Sequence, residues 1–493
     1  MRLAELLRDV PVLSTSGNAD VDITAVVADS RVVKPGALFV AISGFQTDGA
    51  KFIDGALAKG ASAIVAESPA PAGDSAAAFV QVADARAALA LLAANFYGRP
   101  AEKLSIVGVT GTSGKTTTTK MIESIFDATG EAVGLIGTIE YRAGNERLVA
   151  DRTTPDAVVL QEWFAKMADA GVRHAVMEVS SHALALKRTY GVHFAAAVFT
   201  NLSRDHFDFH KDFDDYFAAK KILFDQIDRT RRTAVVNADD EYGAKLAAEL
   251  GAAAMTFGRG ASADIRPADG FEISVRGLRG VVHTPAGDVR LDSNLLGAPN
   301  LANWLAAIGA ALVVGIPVAQ IEAGIRNLDS VRGRFERVPA GDDGPTVIVD
   351  YAHKPDALEK LLHAVRDLAG DKRVSILFGC GGDRDKGKRP QMGEIAARLA
   401  DRVVLTSDNP RSEKPEAILD EIERGMSGAR NYERVADRRE AIARTVAAAT
   451  ADDVIVIAGK GHETYQVVGD RVVHFDDREE AELALRKRDE KVV

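Results

Sequence analysis

Short apolar runs alternate with helical stretches through the middle of the chain, and this pattern is the main indication of its fold. Each run is short enough for a buried strand, and apolar residues recur at helical spacing between the runs. Strands that alternate with helices predict a largely parallel sheet covered by helices on both faces. The apolar runs are Ser105–Val109, Val133–Gly137, His174–Glu178, Ala197–Thr200 and Thr233–Asn237, and the helices include Lys115–Thr129 and Val158–Ala170.

The chain before residue 100 contains the same kinds of element in a smaller set. A helix is predicted over Asp84–Tyr97, and Asp84 is a natural N-cap for it. Gly98-Arg-Pro100 ends this helix and is typical of a linker. These features predict a small N-terminal α/β domain. Its apolar runs are Leu38–Ile42, Ala63–Ala66 and Phe79–Val82.

The pattern changes twice in the last part of the chain. Residues 262–293 alternate apolar and polar positions, which predicts a β-rich insertion. From Val331 the alternation of strands and helices returns, with apolar runs at Val347–Asp350, Val374–Phe378, Val403–Thr406 and Val454–Ala458. A chain of 493 residues is long enough for about three domains. We therefore predict an α/β protein with domains at residues 1–102, 103–330 and 331–493.

Composition and charge exclude several classes of protein. The net charge of −10 argues against sequence-independent nucleic-acid binding and against docking on anionic membranes. The N-terminus lacks the apolar core of a signal peptide, and no apolar run is long enough to span a membrane. The single cysteine, Cys380, excludes an intrachain disulfide, which suits a reducing cytoplasm. We expect Cys380 to be a small buried residue in a turn and not a nucleophile.

A glycine-rich turn between a predicted strand and a predicted helix carries the strongest chemical signal. The segment Gly111-Thr-Ser-Gly-Lys-Thr-Thr117 would point backbone N–H groups inward and place a helix N-terminus beside them. Lys115 would neutralise terminal phosphates, and Thr116 would offer an oxygen to Mg²⁺. Val109 stands where the general phosphate-loop pattern has its first glycine. A structural turn in a parallel sheet is the alternative, but the intact Gly-Lys-Thr-Thr favours binding of a nucleoside triphosphate.

Three further segments place polar groups near that loop, since catalytic residues collect at the carboxyl ends of parallel strands. Glu178 ends one predicted strand, His206 follows another, and Lys220 lies in a predicted helix over Tyr216–Phe224. Taken singly, the first could cap a helix, the second could be a buried structural histidine, and the third could be a solvated lysine. Together with the phosphate loop they predict a Mg²⁺ site.

Six motifs occur in an order that resembles the Mur ligase family, the ATP-dependent amide ligases of peptidoglycan precursor synthesis. The resemblance covers nearly the whole chain, including the N-terminal segment from Asp29 to Ile42. The motifs are Gly111-Thr-Ser-Gly-Lys-Thr-Thr117, Glu178-Val-Ser-Ser-His182, Thr200-Asn-Leu-Ser-Arg-Asp-His206, Asn237-Ala-Asp-Asp240, Gly333-Arg-Phe-Glu336 and Asp350-Tyr-Ala-His353.

The resemblance implies a role for each domain. The first would bind a uridine nucleotide, the second would be a central P-loop ATPase-type sheet, and the third a Rossmann-like domain that admits an amino acid. Asn300 and Asn303 would lie near the adenine, although a helix cap is an equally good account of Asn300. Arg334, Asp350 and His353 would surround the nucleotide, or else form salt bridges between domains. The implied ATP-binding residues are Gly111, Thr112, Ser113, Gly114, Lys115, Thr116, Thr117, Asn300, Asn303, Arg334 and Asp350.

The resemblance also implies a UDP-linked muramoyl dipeptide as the acceptor acid. Two positions depart from the family pattern. Phe45 stands where relatives often have His, and Arg152 stands where some have Asn. The implied contacts are Ala28, Ser30, Phe45, Gln46 and Thr47 for the UDP-sugar, and Thr153, Thr154, Ser180 and Arg188 for the muramoyl peptide.

Lys220 matches a lysine that family members carboxylate with CO₂. A carbamate would turn this cation into an anionic oxygen ligand for a second Mg²⁺. Lys221 is the competing candidate, and its alternative role is that of a solvated helix lysine. The implied metal ligands are Thr116, Glu178, His206 and Lys220 as its carbamate, and Lys115, Glu178, His206 and Lys220 are the implied catalytic residues.

The segment Asp408-Asn-Pro-Arg411 resembles the signature of the subgroup that adds meso-diaminopimelate. An arginine fork binds a carboxylate bidentately, and L-lysine lacks the distal carboxylate that diaminopimelate carries. Arg411 is therefore the expected specificity residue, and Arg384 would supply a second cation. A plain β-turn is the alternative. The implied meso-diaminopimelate contacts are Arg384, Asp408, Asn409, Pro410, Arg411, Gly459 and Glu463, with Glu463 facing an ammonium.

The implied activity is formation of an acyl phosphate from ATP, followed by attack of the amino acid. The expected enzyme is a cytoplasmic monomer with small-molecule substrates. An L-lysine-adding relative or a folylpolyglutamate synthetase would use the same phosphate loop. From other classes, a nucleotide-switched binding protein would hydrolyse ATP without an amino acid. A reductase would need a dinucleotide fingerprint, and the glycine spacing at Gly379-Cys-Gly-Gly382 fails that pattern.

Overall fold

A computed structural model describes residues 1–44, 48–70, 77–340 and 344–492. Its contacts divide the chain into two compact units. The first comprises Met1–Arg266 with Leu305–Gly324, and the second comprises Pro267–Trp304 with Ile325–Val493. In the described part of the chain, no helix is both long enough and apolar enough to cross a membrane.

The N-terminal part of the first unit is a five-stranded sheet with the order β1-β5-β4-β3-β2. The predicted helix α3 begins after Asp84, whose side chain accepts the Ala87 N–H. Apolar residues cover both faces of this sheet, so it has its own core. The predicted small α/β fold is confirmed. Its elements are α1 Leu3–Leu6, β1 Val12–Ser16, β2 Ala25–Val27, β3 Ala37–Ala41, α2 Ile53–Ala58, β4 Ala63–Ala66, β5 Ala78–Val82 and α3 Ala85–Phe96.

The rest of the first unit is built on an eight-stranded sheet with the order β13-β12-β11-β6-β10-β7-β8-β9. The strands from β13 to β7 in this order pair in parallel, as predicted, and β8 and β9 form an antiparallel edge. Strand β6 is central, so the loops after β6, β10 and β11 meet at one edge of the sheet. The elements are β6 Ser105–Thr110, α4 Lys115–Asp127, β7 Val133–Ile136, β8 Glu140–Ala143, β9 Glu146–Val149, α5 Ala157–Asp169, β10 His174–Glu178, α6 Ser181–Ala185, β11 Ala196–Phe199, α7 Phe213–Lys221, β12 Ala234–Asn237, α8 Glu241–Leu250 and β13 Ala254–Phe257.

The predicted bounds of the helix that carries Lys220 were wrong. Helix α7 begins three residues earlier than predicted, because the Asp212 side chain caps it by accepting the Asp215 N–H at 2.8 Å. It ends at Lys221, and Ile222–Asp225 continue as a 3₁₀ turn. Lys220 therefore lies in the last turn of α7.

The predicted β-rich insertion is confirmed as a small four-stranded sheet. Strand β16 is paired on both sides, and β17 runs antiparallel to it. Two helices follow before the last sheet begins. The elements are β14 Arg266–Pro267, β15 Glu272–Ser274, β16 Gly277–His283, β17 Val289–Ser293, α9 Gly297–Val313 and α10 Val318–Asn327.

The C-terminal sheet has six strands in the order β18-β19-β23-β20-β21-β22. All pair in parallel except β18, which is the Rossmann-like arrangement that the sequence predicts. Cys380, just after β20, is 2% exposed, and burial raises its pKa to about 12, so it is a packing residue as expected. The elements are β18 Glu336–Val338, β19 Thr346–Asp350, α11 Pro355–Ala369, β20 Arg373–Phe378, α12 Lys388–Leu399, β21 Arg402–Leu405, α13 Pro415–Glu423, β22 Tyr432–Arg434, α14 Arg438–Ala447, β23 Asp453–Ala458, β24 Tyr465–Val468, β25 Arg471–His474 and α15 Asp477–Val492.

Candidate active site

The glycine-rich loop connects β6 to α4, and its two glycines adopt backbone conformations that other residues rarely adopt. Gly111 has φ +146° and Gly114 has φ +85°. A Cβ atom on Gly111 would lie 1.9 Å from Thr200 Oγ1, so only glycine fits there. Thr200 Oγ1 itself donates to the Ser113 carbonyl at 2.7 Å. The segment after β11 therefore braces the loop from one side.

Helix α4 begins at Lys115, directly after this loop. Gly114 occupies the N-cap position, and no side chain of a described residue caps the first turn. Thr116 and Thr117 lie in that turn and are buried. A helix N-terminus without a side-chain cap presents backbone N–H groups and the positive end of the helix dipole, which together bind phosphate.

Asn201 and Tyr216 fix the remainder of the loop. The Asn201 side chain accepts the Ser113 N–H at 3.1 Å, and its backbone carbonyl accepts the Thr112 N–H at 2.9 Å. Thr112 Oγ1 lies 3.2 Å from Tyr216 Oη. Contacts from the β11 end and from α7 thus hold the loop in one shape.

Two lysine amines reach the same loop carbonyl. Lys115 Nζ donates to the Gly111 carbonyl at 2.9 Å, and Lys220 Nζ donates to it at 2.8 Å. Lys221, the competing candidate, instead forms an ion pair with Glu249. Helix α7 therefore directs Lys220, and not its neighbour, at the phosphate loop.

Lys220 lies in an environment that disfavours its charged form. It is 1% exposed, and its Nζ lies 4.3 Å from the centre of the Tyr216 ring. Burial, and then the positive charge of Lys115, lower the pKa of Lys220 well below the usual lysine value, and Asp205 opposes this only in part. A lysine with a depressed pKa presents a neutral, nucleophilic amine near neutral pH.

Glu178 ends β10 and meets the first turn of α4. Thr116 Oγ1 donates to Glu178 Oε2 at 2.9 Å. Thr138, which follows β7, donates its N–H to Oε1 at 2.7 Å and its hydroxyl to Oε2 at 3.1 Å. The alternative in which Glu178 caps a helix is wrong, because Ser180 caps α6. Glu178 instead joins the phosphate loop to the loop after β7.

The oxygen atoms around Thr116 and Glu178 fit a Mg²⁺ ion. Hydroxyl and carboxylate oxygens are the ligands that this hard cation prefers. In the described part of the chain, no cluster of three or more His, Cys, Asp or Glu residues could hold a metal alone. Mg²⁺ commonly binds through one or two carboxylates together with substrate phosphates, so such a cluster is not required.

His206 lies in a group of aromatic rings after β11. It has φ +58°, and its ring centre lies 4.8 Å from that of His182 and 6.3 Å from that of Tyr216. Its Nε2 atom lies 3.5 Å from Asp205 Oδ2, and the side chain is 38% exposed. A fully buried structural histidine, the alternative reading, is therefore wrong for His206. His210 is the buried histidine, and it contacts Ser181 and Asp215.

The residues predicted for the muramoyl peptide form one hydrogen-bonded group next to Glu178. Thr154 Oγ1 donates to the Glu178 carbonyl at 2.8 Å and accepts the Ser180 N–H at 3.1 Å. Arg188 Nη1 donates to the Thr154 carbonyl at 2.7 Å. Burial, followed by the nearby Arg152, lowers the pKa of Arg188. The positive charges of Arg152 and Arg188 beside this group favour an anionic partner.

Thr153 connects this group to the loop after β7, because its hydroxyl lies 3.1 Å from that of Thr138. The predicted UDP-sugar contacts lie elsewhere in the first unit. Ala28 and Ser30 follow β2, and the Ser30 carbonyl accepts Lys59 Nζ at 2.8 Å. The other three, Phe45, Gln46 and Thr47, lie outside the described residues.

The nucleoside residues predicted in the second unit lie around the end of β19. Asp350 accepts the Phe335 N–H and the Ala352 N–H, each at 2.7 Å. Burial raises the pKa of Asp350, although Arg334 opposes the shift. The Arg334 guanidinium lies 4.8 Å from the centre of the Tyr351 ring. His353 Nδ1 lies 2.8 Å from the Tyr351 carbonyl, and burial lowers its pKa to about 4.

The structure excludes the alternative in which Asn300 is a helix cap. Helix α9 begins at Gly297, so Asn300 already lies inside its first turn. Its side-chain amide donates to the Leu296 carbonyl at 3.0 Å, whereas a cap would accept a backbone N–H. Asn303 donates to Asn300 Oδ1 at 3.2 Å, so the two asparagines form one buried pair.

Two loops of the C-terminal sheet pack backbone to backbone and carry the predicted specificity residues. The Gly382 N–H donates to the Asn409 carbonyl, and Arg411 Nη1 donates to the Gly382 carbonyl, each at 2.9 Å. A Cβ atom on Gly382 would lie 1.8 Å from the Pro410 carbonyl oxygen. One placed on Gly381 would lie 2.9 Å from Arg411 Nη1 and 3.6 Å from Arg384 Cγ. The structure therefore brings the two predicted arginines together.

The hairpin β24–β25 holds Arg411 from the other side. The Arg411 N–H donates to the Val467 carbonyl, and the Gly469 N–H donates to the Arg411 carbonyl. Arg411 itself has φ +52°, a conformation uncommon outside glycine. Strain of this kind persists where surrounding contacts impose it, and it is frequent at binding sites.

The sequence analysis missed Lys460, which lies among the predicted amino-acid contacts. It is 0% exposed, and its Nζ lies 3.2 Å from both Asn409 Oδ1 and Glu463 Oε2. Gly459 precedes it with φ +113°, and a Cβ atom there would lie 3.4 Å from Asp408 Oδ2. The Ala458-Gly-Lys-Gly-His-Glu463 segment after a predicted strand was the available signal.

Thr138, Asn201 and Tyr216 were also missed as functional candidates. Asn201 lies within a quoted motif and Tyr216 begins the predicted helix that carries Lys220, but nothing in the sequence indicates that their side chains hold the phosphate loop. Thr138 follows an apolar run with no motif of its own. Its contact with Glu178 depends on the order β6-β10-β7, which only the folded sheet reveals.

A phosphate loop at the centre of a parallel sheet, with oxygen ligands beside it, defines a P-loop nucleotide-binding α/β protein. Models of three Mur ligase regions match this chain: the Mur ligase family catalytic domain over residues 22–97, the Mur ligase middle domain over 109–311, and the Mur ligase glutamate ligase domain over 333–461. Together they account for most of the sequence.

Curated relatives and a solved structure agree with these matches. The UDP-N-acetylmuramoyl-L-alanyl-D-glutamate–2,6-diaminopimelate ligase of Gloeobacter violaceus is 47% identical over 99% of each chain. The enzyme of the same name from Listeria innocua is 44% identical over 99% of each. A solved structure of such a ligase is 33% identical, with a TM-score of 0.69 over 95% of each chain. The chain belongs to the Mur ligase family.

Proposed function

We propose that this protein is an ATP-dependent ligase that joins 2,6-diaminopimelate to UDP-N-acetylmuramoyl-L-alanyl-D-glutamate. The relatives that share 44–47% of its residues over full length carry that name. The main structural support for the proposal is the hydrogen bond from Thr116 to Glu178 at the phosphate loop. The buried Lys220 donates to a carbonyl of the same loop. Family membership removes the nucleotide-switched binding protein and the reductase as alternatives.

The reaction requires activation of an unreactive acid. A carboxylate repels an incoming amine, and transfer of the ATP γ-phosphoryl group to the D-glutamyl γ-carboxylate creates an acyl phosphate with a good leaving group. Lys115 and the first turn of α4 would stabilise the charge on the transferring group. The amine of the amino acid then displaces phosphate and forms the amide.

Thr116 and Glu178 would hold Mg²⁺ together with the phosphate oxygens, and His206 is a further candidate ligand. The ion would supply Lewis-acid stabilisation of charge on the phosphoryl oxygens. Thr138 would keep the Glu178 carboxylate in a fixed orientation through its two hydrogen bonds. Thr154, Ser180 and Arg188 would hold the muramoyl peptide within reach.

Lys220 is proposed to carry a carbamate formed with CO₂. The neutral amine that its lowered pKa favours would attack CO₂, and the amine proton would be released. The amines of Lys115 and Lys220 both donate to the Gly111 carbonyl, so the resulting anion would lie beside the Lys115 ammonium and form a favourable charge pair with it. It would also add oxygen ligands for a second Mg²⁺.

Arg411 and Arg384 are proposed to select diaminopimelate over L-lysine. Arg411 Nη1 and the stem of the Arg384 side chain both lie beside Gly381, which supports binding of one carboxylate by the two arginines. An acceptor without a distal carboxylate would leave these donors without a partner, which costs binding free energy.

We further propose that the enzyme acts as a monomer in the cytoplasm, where its single cysteine stays reduced.

The direct test is a ligation assay with purified protein, ATP, Mg²⁺ and the UDP-linked dipeptide. Phosphate release and amide formation are followed with meso-diaminopimelate or with L-lysine as the acceptor. We expect a new amide with diaminopimelate, at a kcat/KM at least about 100-fold above that with L-lysine. Equal efficiency with both amino acids, or ATP hydrolysis without any amide, would contradict the proposal.

A further inference from the structure

Lys460 is a buried lysine among the predicted amino-acid contacts of the second unit, and these predicted binding residues are the ones it contacts. Lys460 Nζ lies 3.2 Å from Glu463 Oε2, 3.2 Å from Asn409 Oδ1 and 3.7 Å from Asp408 Oδ1. The Lys460 side chain is 0% exposed, whereas that of Glu463 is 19% exposed. A substrate can therefore reach Glu463 directly, but Lys460 lies behind it.

We propose that Lys460 is a positioning residue that sets the preference of this pocket for an acceptor with a distal ammonium group. This inference rests on the proposed function, because it concerns the amino acid that the ligase adds. Lys460 would act through Glu463, Asn409 and Asp408 and would not touch the substrate.

The two carboxylate oxygens of Glu463 have different surroundings. Oε2 accepts hydrogen bonds from Lys460 Nζ at 3.2 Å and from Asn409 Nδ2 at 2.9 Å. Among the contacts that the described residues make, those to this carboxylate fall on Oε2. The carboxylate is thus held by one oxygen, and Oε1 is left to accept from a ligand.

Two contacts fix the orientation of the Asn409 side-chain amide. Its Oδ1 accepts from Lys460 Nζ and from the Val467 N–H, which forces its NH₂ group toward Glu463. Without Lys460 one of the two contacts that fix this orientation is lost. Lys460 therefore holds Glu463 both directly and through Asn409.

Asp408 is the second carboxylate beside Lys460. Its Oδ1 is buried and lacks a hydrogen-bond partner within the described part of the chain, although Lys460 lies nearby. Two carboxylates thus lie beside one lysine, and Asp408 Oδ1 remains a buried acceptor without a hydrogen bond from the described residues. The other buried cation close to them, Arg438, is already paired with Asp477 through two hydrogen bonds of 2.7 Å. One ammonium group from the substrate would complete this set.

The test compares three acceptors in the ligation assay: meso-diaminopimelate, 2-aminopimelate, which lacks the distal ammonium, and L-lysine, which lacks the distal carboxylate. In the unaltered protein we expect diaminopimelate to exceed 2-aminopimelate by about 100-fold in kcat/KM. In Lys460→Met we expect this preference to fall by about tenfold, mainly through KM for diaminopimelate, while KM for ATP stays unchanged.

A matched control separates positioning from general loss of stability. Arg373→Met breaks the ion pair of Arg373 with Asp453 at the first residues of β20 and β23, whereas Lys460 follows the last residue of β23. We expect Arg373→Met to keep the preference for the ammonium group, even if it lowers the midpoint of thermal unfolding. If the role of Lys460 were purely structural, Lys460→Met would also keep the preference for the ammonium group, with equal losses of kcat/KM for all three acceptors. That result would overturn the proposal.

A second variant covers the case in which Lys460→Met fails to fold. Glu463→Gln retains Lys460 and removes only the charge that it orients, and we expect the same fall in preference for diaminopimelate over 2-aminopimelate. A preserved preference in Glu463→Gln would also overturn the proposal. Failure of the proposed function is a separate result, because the unaltered protein would then form no amide with diaminopimelate.

Discussion

Two buried lysines, Lys220 in the first unit and Lys460 in the second, face opposite surroundings. Their exposed fractions are 1% and 0%. Lys220 donates to a backbone carbonyl and lies over the Tyr216 ring, with another lysine nearby. Lys460 instead lies between the carboxylates of Asp408 and Glu463.

The difference shows that burial alone does not decide what a lysine does. Burial in general disfavours the ammonium form of a lysine, and carboxylate partners offset that cost. At Lys220 the neighbouring Lys115 adds to the effect of burial, and the pKa falls. A neutral amine can be modified by CO₂, whereas a lysine between two carboxylates serves as a fixed hydrogen-bond donor.

The largest expected effect comes from removing the amine of the first lysine. Lys220→Met keeps an apolar side chain of similar length but cannot form a carbamate. We expect amide formation to fall by about 10³-fold, because a ligand that stabilises charge in the transition state is lost. The measurement is kcat for phosphate release with all three substrates present.

Lys221→Met is the matched control, because Lys221 is the next residue and pairs only with Glu249 in the ion pairs of the described chain. It should retain activity within about threefold, as expected for a partly exposed ion pair. With ¹³C-labelled bicarbonate, a carbamate signal should appear in the unaltered protein and in Lys221→Met but not in Lys220→Met. A signal that survives in Lys220→Met would assign the modification to another residue.

The phosphate loop was predictable because its information is local. A strand, two glycines, a lysine and a hydroxyl residue follow one another within Ser105–Thr117, and each has a backbone or phosphate role of its own. The proposed amino-acid site is different, since its residues come from the ends of β20, β21 and β23. Its motif could be recognised, but Lys460 could not be given a role until those strand ends were placed side by side.

The misplaced start of α7 and the rejected cap at Asn300 have a similar cause. In both cases an apolar pattern located a helix, and the role of one polar side chain near its start depended on a single hydrogen bond. Asp212 caps α7, so the helix begins at Phe213, whereas the Asn300 amide donates to the Leu296 carbonyl and is not a cap. Such bonds depend on local rotamers, which hydrophobic periodicity does not encode.

The next largest effect should come from Arg411, the proposed specificity residue in the second unit, where Lys460 also lies. Arg411→Ala removes the guanidinium that donates to the Gly382 carbonyl. We expect kcat/KM for meso-diaminopimelate to fall by about 100-fold, while ATP binding persists. Arg398→Ala on α12, which removes a surface ion pair with Glu359, is the control. Unchanged catalytic efficiency in Arg411→Ala would refute its assignment.

A smaller effect is expected on the Lys220 side, at a residue that orients Glu178. Thr138→Val removes the hydroxyl that donates to Glu178 Oε2 but retains the backbone N–H bond to Oε1. Removal of one hydrogen bond from a neutral hydroxyl to a carboxylate is expected to cost about tenfold in kcat. Thr129→Val, at the other end of α4, removes a hydroxyl bonded to the Phe126 carbonyl and should leave kcat unchanged. Equal losses in both variants would point to stability and not to orientation.

The smallest expected effect concerns the ion pairs that support the loops of the amino-acid pocket. Glu413 accepts hydrogen bonds from the buried Arg389 and from the Asp383 N–H. These bonds, with Arg389 contributing most, lower the pKa of Glu413 to about 2. Because this value lies below that of an unfolded glutamate, near 4.5, the carboxylate stabilises the fold above about pH 4.5 and loses its effect as the pH falls toward 2.

Glu413→Gln should therefore lower the midpoint of thermal unfolding at pH 7 by about 2–4 °C. The difference from the unaltered protein should shrink between about pH 4.5 and pH 3, because acid removes the same charge that the substitution removes. Glu416→Gln on the exposed side of α13 is the matched control and should show no such difference at either pH. A Glu413→Gln difference that stays constant with pH would mean that the shape of the side chain, and not its charge, supports the loop. The loops around Lys460 would then be held by uncharged contacts, as the phosphate loop is by Thr200, Asn201 and Tyr216, and this contrast between the two regions would disappear.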